Sequence, residues 1–321
     1  MTPFTRRHFT TPGTATLLAV GLLLSACADP STVNGGASSA AIGTQAISST
    51  ASPKTTAAGN AAGLLHDQLP DKIKNAGQIT SVNTGSFPPY TIIGDDHNIT
   101  GATADLETAM GKVLGIKFDH VTVDSLAGSL TGIAAGRYDL EFGPVGDFPE
   151  RQVTVDFVQE FVVFAVPKGN PKQINDLESA CGAKIAVQAG GSAEKVVTGQ
   201  ATKCKAAGKP ALEVQSFKDQ PSSILAVQSG RSDAFFSSQA PLTYFVQQSG
   251  GKLELAGVGK GNGFKKLFQG MVLPKNSPLV AVLLQAWTQL YADGTYQAVM
   301  NKWGLTQNML PKAAVNLGRT R

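Results

Sequence analysis

From Ile79 to Trp303 the chain alternates short apolar runs with stretches that repeat at helical spacing, and this alternation restricts the fold more than any other feature. Ile79 to Asn83 reads as a strand. Leu106, Met110, Val113 and Leu114 then share one helical face, and Gly115 stops it. Ile116 to Val123 is extended, Leu126 to Ala134 is helical up to Gly136, and a strand follows at Asp139 to Phe142. Strands joined through helices imply crossovers and a parallel sheet.

The alternation is broken once, at Pro167-Lys168-Gly169-Asn170-Pro171, a cluster of residues that end regular structure. A second block then runs through strands at Ile185 to Val187, Leu212 to Val214, Ala234 to Ser237 and Leu253 to Ala256. Helices at Ala193 to Lys203, Ser223 to Gln228 and Pro241 to Gln248 separate them. Met271 to Leu273 is extended again, before helices at Leu279 to Ala292 and Tyr296 to Trp303. The second α/β block is thus inserted into the first. A length of 321 residues fits about two such domains, and 42% hydrophobic residues fit a soluble globular body.

The formal charge of +4 is spread along the chain without a basic stripe, which argues against nucleic acid as a partner. The histidines, cysteines and acids show no metal-ligand spacing, and no catalytic Cys/His or GxSxG pattern occurs, so no metal, cofactor or catalytic residue is expected.

Arg6-Arg7 precedes an apolar run from about Ala15 to Ala26, too short for an ordinary membrane helix. Its end, Leu24-Ser25-Ala26-Cys27, resembles a lipobox, which makes residues 1–27 a signal peptide and Cys27 the lipidated residue. Thr5-Arg6-Arg7-His8-Phe9 also resembles a twin-arginine signal, and the choice between the two export routes stays open. Residues 28–70 are poor in large apolar side chains and read as a flexible tether. In an exported chain Cys181 and Cys204 are expected to pair. The closed loop would stabilise the fold by about 3 kcal/mol.

Within the first block, Tyr138 to Phe157 (YDLEFGPVGDFPERQVTVDF) begins as an apolar run and continues into a Gly/Pro-broken loop followed by Arg151. A guanidinium forks onto a carboxylate better than any other side chain, so this loop is expected to grip a small acidic solute. Glu141 interrupts an apolar strand. It either faces the cleft or lies at the strand end, facing solvent or pairing with Arg137.

Several segments together resemble the extracellular solute-binding proteins of family 3, which serve polar amino-acid ABC importers. They are Gly85-Ser86-Phe87-Pro88-Pro89-Tyr90, Gly101 through Leu114, Ala135-Gly136-Arg137-Tyr138-Asp139, Pro149-Glu150-Arg151 with Val155-Asp156-Phe157, Leu177 to Gln188, Gln228 to Ala234 and Ala292 to Tyr296. The lipobox, tether and cysteine pair are similar to those of actinobacterial members. The resemblance implies an α/β, type II periplasmic-binding-protein-like fold. Each of its two lobes is a mostly parallel sheet with flanking helices, and two hinge strands lie near Val162 to Val166 and Gln269 to Leu273. Lobe 1 would comprise residues 71–165 and 269–310, lobe 2 residues 166–268, and residues 311–321 a C-terminal tail.

The resemblance also implies site residues. Arg151 and the helix start at Gly191 and Ser192 would hold a carboxylate, the latter through backbone N–H groups. Phe87 and Leu126 would cover the ligand, with Tyr90, Gly143, Gly146 and Asp147 nearby; ordinary core packing is as good a reading for Leu126 and a weaker one for Phe87, which sits in a Pro-rich loop. Two departures stand out. Ser238 replaces the aspartate that pairs with an α-ammonium, and Gly146 replaces a hydroxyl residue. The expected function is capture of a small carboxylate-bearing solute by a monomeric, lipid-anchored protein outside the membrane, and delivery to a permease. A dehydratase on the same fold and a ligand-sensing receptor partner are the alternatives.

Overall fold

The computed structural model describes residues 65–148 and 152–319. Cys27, the signal, most of the tether and Arg151 lie outside the described residues. In chain order the first part comprises α1 (Asp71–Ala76), β1 (Gln78–Asn83), β2 (Ile92–Ile93), β3 (Ile99–Thr100), α2 (Ala102–Leu114), β4 (Lys117–Thr122), α3 (Leu126–Ala134), β5 (Glu141–Gly146) and β6 (Val153–Glu160). Next come β7 (Val162–Pro167), β8 (Lys184–Gln188), α4 (Ser192–Ala206), β9 (Glu213–Phe217), α5 (Gln220–Gln228), β10 (Ala234–Ser238), α6 (Gln239–Gln248) and β11 (Leu253–Ala256). The chain finishes with β12 (Leu267–Leu273), α7 (Leu279–Ala292), α8 (Thr295–Lys302) and β13 (Met309–Val315).

Lobe 1 owes its core to the periodic helices. Leu106, Met110 and Leu114 of α2 are fully buried, and Gly115 ends the helix in the left-handed conformation at φ 66°. Val282, Leu283, Ala286, Trp287 and Leu290 of α7 bury a second stripe, with the Trp287 ring stacked on Phe157 at 5.0 Å. Lobe 2 is built on β11-β7-β10-β8-β9. In β7, Val162, Phe164 and Val166 face one core while Val163 and Ala165 face another. Apolar demand on both faces is why this strand reads as an unbroken apolar run. Cys181 and Cys204 form the expected disulfide, with Cα atoms 5.7 Å apart.

The pairing is less parallel than the strand–helix alternation predicts. β1 runs parallel to β4, and β8 runs parallel to both β9 and β10. The sheet β13-β6-β12-β5, however, is antiparallel throughout, as are the β7–β10 and β7–β11 pairs. Within that sheet β5 and β6 run the same way, each antiparallel to β12, which returns from lobe 2 and lies between them. The chain leaves lobe 1 at Phe161, between β6 and β7, and returns between β11 and β12. Val162 to Val166 and Gln269 to Leu273, near which the hinges are expected, lie in the strands that adjoin these two crossings. The residues read as a C-terminal tail are also structural: β13 pairs with β6, and Asn316 bonds both ways with the Thr154 backbone at 2.9 Å.

One buried acid makes lobe 1 sensitive to pH. Glu107 of α2 is 3% exposed, accepts a 2.8 Å hydrogen bond from Ser81, and lies 3.4 Å from Nε2 of His120. That distance suits an ion pair, but burial raises Glu107 to about 8 and lowers His120, which disfavours the charged form of both. Between the ordinary value of 4.5 and about 8, the unfolded chain has lost a proton that the folded chain keeps. Stability therefore falls as pH rises through that interval. Urea unfolding of Glu107→Gln at pH 5 and pH 8 should show a smaller fall than the parent. An equal fall in both proteins would place the sensitivity elsewhere.

Candidate solute-binding cleft

The lobes face each other across a cleft that is partly open to solvent. Lobe 1 lines it with Asn83, Thr84 and Gly85 at the end of β1, with Phe87 and Thr91, with Leu126 at the start of α3, and with β5 and Gln269 of β12. Lobe 2 contributes Val162, Gln188 at the end of β8, Gly191, Ser192 and Ala193 at the start of α4, Gln220 at the start of α5, and Ser237 and Ser238 at the end of β10. Carboxyl ends of parallel strands and starts of the following helices thus converge, as in other α/β binding sites.

The first turn of α4 offers amides with no acceptor inside the helix. Glu194 secures the approach to that turn by accepting from the Gly190 amide at 2.7 Å and from the Ser216 hydroxyl. This leaves the start at Ser192 facing the cavity as a place for negative charge.

The structure brings most of the expected residues to this one cavity: Phe87, Leu126, Glu141, Gly143, Gly146, Gly191, Ser192 and Ser238 all line it. Glu141 is 4% exposed and accepts from the Ser129 hydroxyl behind it, so its place is the cleft wall. Arg137 instead holds its guanidinium 5.9 Å from the centre of the Tyr138 ring. Among the described lining residues Glu141 is the one ionisable side chain.

Two expected residues are elsewhere. Tyr90 is fully buried and donates a 2.6 Å hydrogen bond to Glu160, whose carboxyl burial raises to about 7. Asp147 is buried outside the cavity and accepts from the Gly318 amide at 2.7 Å.

The stretch read as a Gly/Pro-broken loop is in fact β5, from Glu141 to Gly146. Pro144 is tolerated because β5 is an edge strand, and because the pairing with β12 is irregular between Gly270 and Val272. A side chain at Gly146 would be crowded. A Cβ there would lie 2.7 Å from the Phe148 ring and 3.4 Å from Ser192 Oγ of the other lobe. Phe148 itself packs against the lobe 2 core, and Lys195 Nζ lies 5.7 Å from the centre of its ring.

Asn83, Gln188, Gln220, Ser237 and Gln269 were not singled out from the sequence. Their positions at strand ends and a helix start could have flagged the first four, whereas Gln269 lies inside β12 and carries no such mark.

Two sheeted lobes, two chain crossings and a cavity between strand ends suit a protein that binds a small solute between its lobes. The model of the bacterial extracellular solute-binding proteins, family 3, matches residues 79–306, and the chain belongs to that family. It is 27% identical over 257 residues to the arginine-binding protein ArgT of Corynebacterium glutamicum, across 78% of this chain and 82% of the relative. It is 24% identical to the L-cystine-binding protein TcyJ of Escherichia coli K12, across 73% and 85% of the two chains. Among solved structures, an ancestral arginine-binding protein bound to arginine is similar, with a TM-score of 0.63 and 26% identity over 71% of this chain and 98% of that one.

The crowding at Gly146 yields a simple expectation. Gly146→Ser restores a hydroxyl but must displace Phe148, so thermal or urea unfolding should show a loss of about 1–3 kcal/mol. A variant as stable as the parent would show that Phe148 yields without cost.

Proposed function

We propose that this solute-binding protein captures a small carboxylate-bearing solute, an amino acid or an amino-acid-like compound. It does so outside the cytoplasmic membrane, anchored through a lipid on Cys27, and delivers the solute to an ABC permease. The observation that carries this reading is the start of α4 opening into a cavity whose described wall has no side-chain cation. A carboxylate is the solute group that such a helix end favours. Arg151, just beyond Phe148 in the sequence, is its proposed second grip.

Ser238 stands where relatives place an aspartate, and a hydroxyl accepts from an ammonium without supplying a compensating charge. The solute therefore either lacks a free α-ammonium or places it near Glu141. Binding without turnover is the reading that fits best. The relatives that the chain resembles are named as arginine- and cystine-binding proteins, which supports a binding role.

A thermal-shift screen of the tether-free body against amino acids, opines, keto acids and small amines tests the solute class. Carboxylate-bearing compounds should raise the melting temperature, Arg151→Ala should abolish the best shift, and a coupled dehydratase assay should show no product. A best hit lacking a carboxylate, or one unaffected in Arg151→Ala, would overturn the proposal.

A further inference from the structure

The lobe 2 wall of the cavity carries a directed chain of neutral hydrogen bonds. Ser237 Oγ donates to Gln220 Oε1 at 2.9 Å, and Gln220 Nε2 donates to Gln188 Oε1 at 2.7 Å. Gln220 is 3% exposed and Ser237 5%, so neither bond is readily exchanged for one to water. The position of Gln220 is itself fixed. It is the first residue of α5, whose start is capped by Asp219 accepting from the Ser222 amide at 2.7 Å.

The direction of this chain decides what each end can offer a solute. Ser237 has committed its one proton to Gln220, which leaves it an acceptor. Gln188 Oε1 already accepts from Gln220 and has one lone pair left, whereas both N–H groups of its amide are without an acceptor among the described residues, so its larger remaining capacity is to donate. The wall therefore shows donors at Gln188 and an acceptor at Ser237.

We propose that Gln220 is a specificity-determining residue that sets the hydrogen-bonding polarity of this wall, so that the solute group meeting Gln188 is an acceptor: a carbonyl, hydroxyl or carboxylate rather than a cation. A guanidinium or ammonium carries only N–H donors and would bring them against the donors of Gln188. The inference rests on the proposed capture of an amino-acid-like solute and narrows its class. At Gln188 it favours a neutral polar or acidic group over a cation, while Ser237 and Glu141 stay acceptors for donors elsewhere on the solute.

Two variants separate a change in polarity from a simple loss of contact. Gln220→Glu can still accept from Ser237 but has no proton for Gln188. The Gln188 amide would then turn its N–H groups to the new carboxylate and show its carbonyl to the cavity. Gln220→Met keeps a similar volume and removes both bonds.

Binding of L-glutamine and L-arginine, measured by calorimetry on the parent and both variants, reads the outcome. The parent is expected to prefer L-glutamine. Gln220→Glu should move the ratio of the two affinities toward L-arginine by on the order of tenfold, and Gln220→Met should reduce the preference without reversing it. A parent that prefers L-arginine overturns the inference, as does a ratio that stays the same in Gln220→Glu. In either case the wider capture proposal stands, because an amino acid still binds. A parent that binds neither probe also overturns this inference, while the capture proposal is then decided by the wider thermal-shift screen.

Discussion

The antiparallel pairing of β6 with β12 underlies the remainder of the structure. The register runs from Leu267 opposite Glu160 to Leu273 opposite Val153, so the strand that leaves lobe 1 lies beside the strand that returns to it. The approach is so close that a Cβ on Gly270 would lie 2.0 Å from the Val155 carbonyl oxygen, and only glycine fits. At the end of β6, Glu160 takes the Tyr90 hydroxyl. The next residue, Phe161, gives its carbonyl to the Gln239 amide of lobe 2 at 2.7 Å. The cavity lies directly off this join, with Gln269 of β12 and Val162 of β7 in its wall.

Polar groups in the cleft follow from the cost of burying them unpaired. Glu141 is acceptable in the wall because Ser129 donates to it from behind. On the opposite side Ser237, Gln220 and Gln188 satisfy one another in sequence, which leaves a limited and oriented set of groups for a solute. Close approach of the lobes adds a second constraint. Gly146 leaves space for Phe148 to fold over it and reach the lobe 2 core.

Much of the fold was legible because its signals are local. The helix at Leu279–Ala292 has the same bounds in sequence and structure, and β8, β10 and β11 lie where short apolar runs predict them. Pairing direction was less legible, since it depends on the length of connections and on which edge remains free. The site shows the same division. Phe87 and Tyr90 are close in sequence, and one lines the cavity while the other turns inward to Glu160. Asp147 was read with the cleft from its position in the chain, but its partner is the amide of Gly318, distant in sequence.

Hydrophobic spacing, breakers and strand-end residues thus determined by themselves that two α/β lobes form, with one inserted into the other. They also determined that Glu141, Ser192 and Ser238 are polar residues at the ends or edges of apolar elements. Tertiary structure decided which of these residues meet across the cleft, that Pro144 and Gly146 belong to an edge strand, and that Gln220 orients Ser237 and Gln188. The reason is physical. Burial periodicity is a property of successive residues, whereas the direction of a hydrogen bond and the clearance around a missing Cβ depend on atoms that only folding brings together.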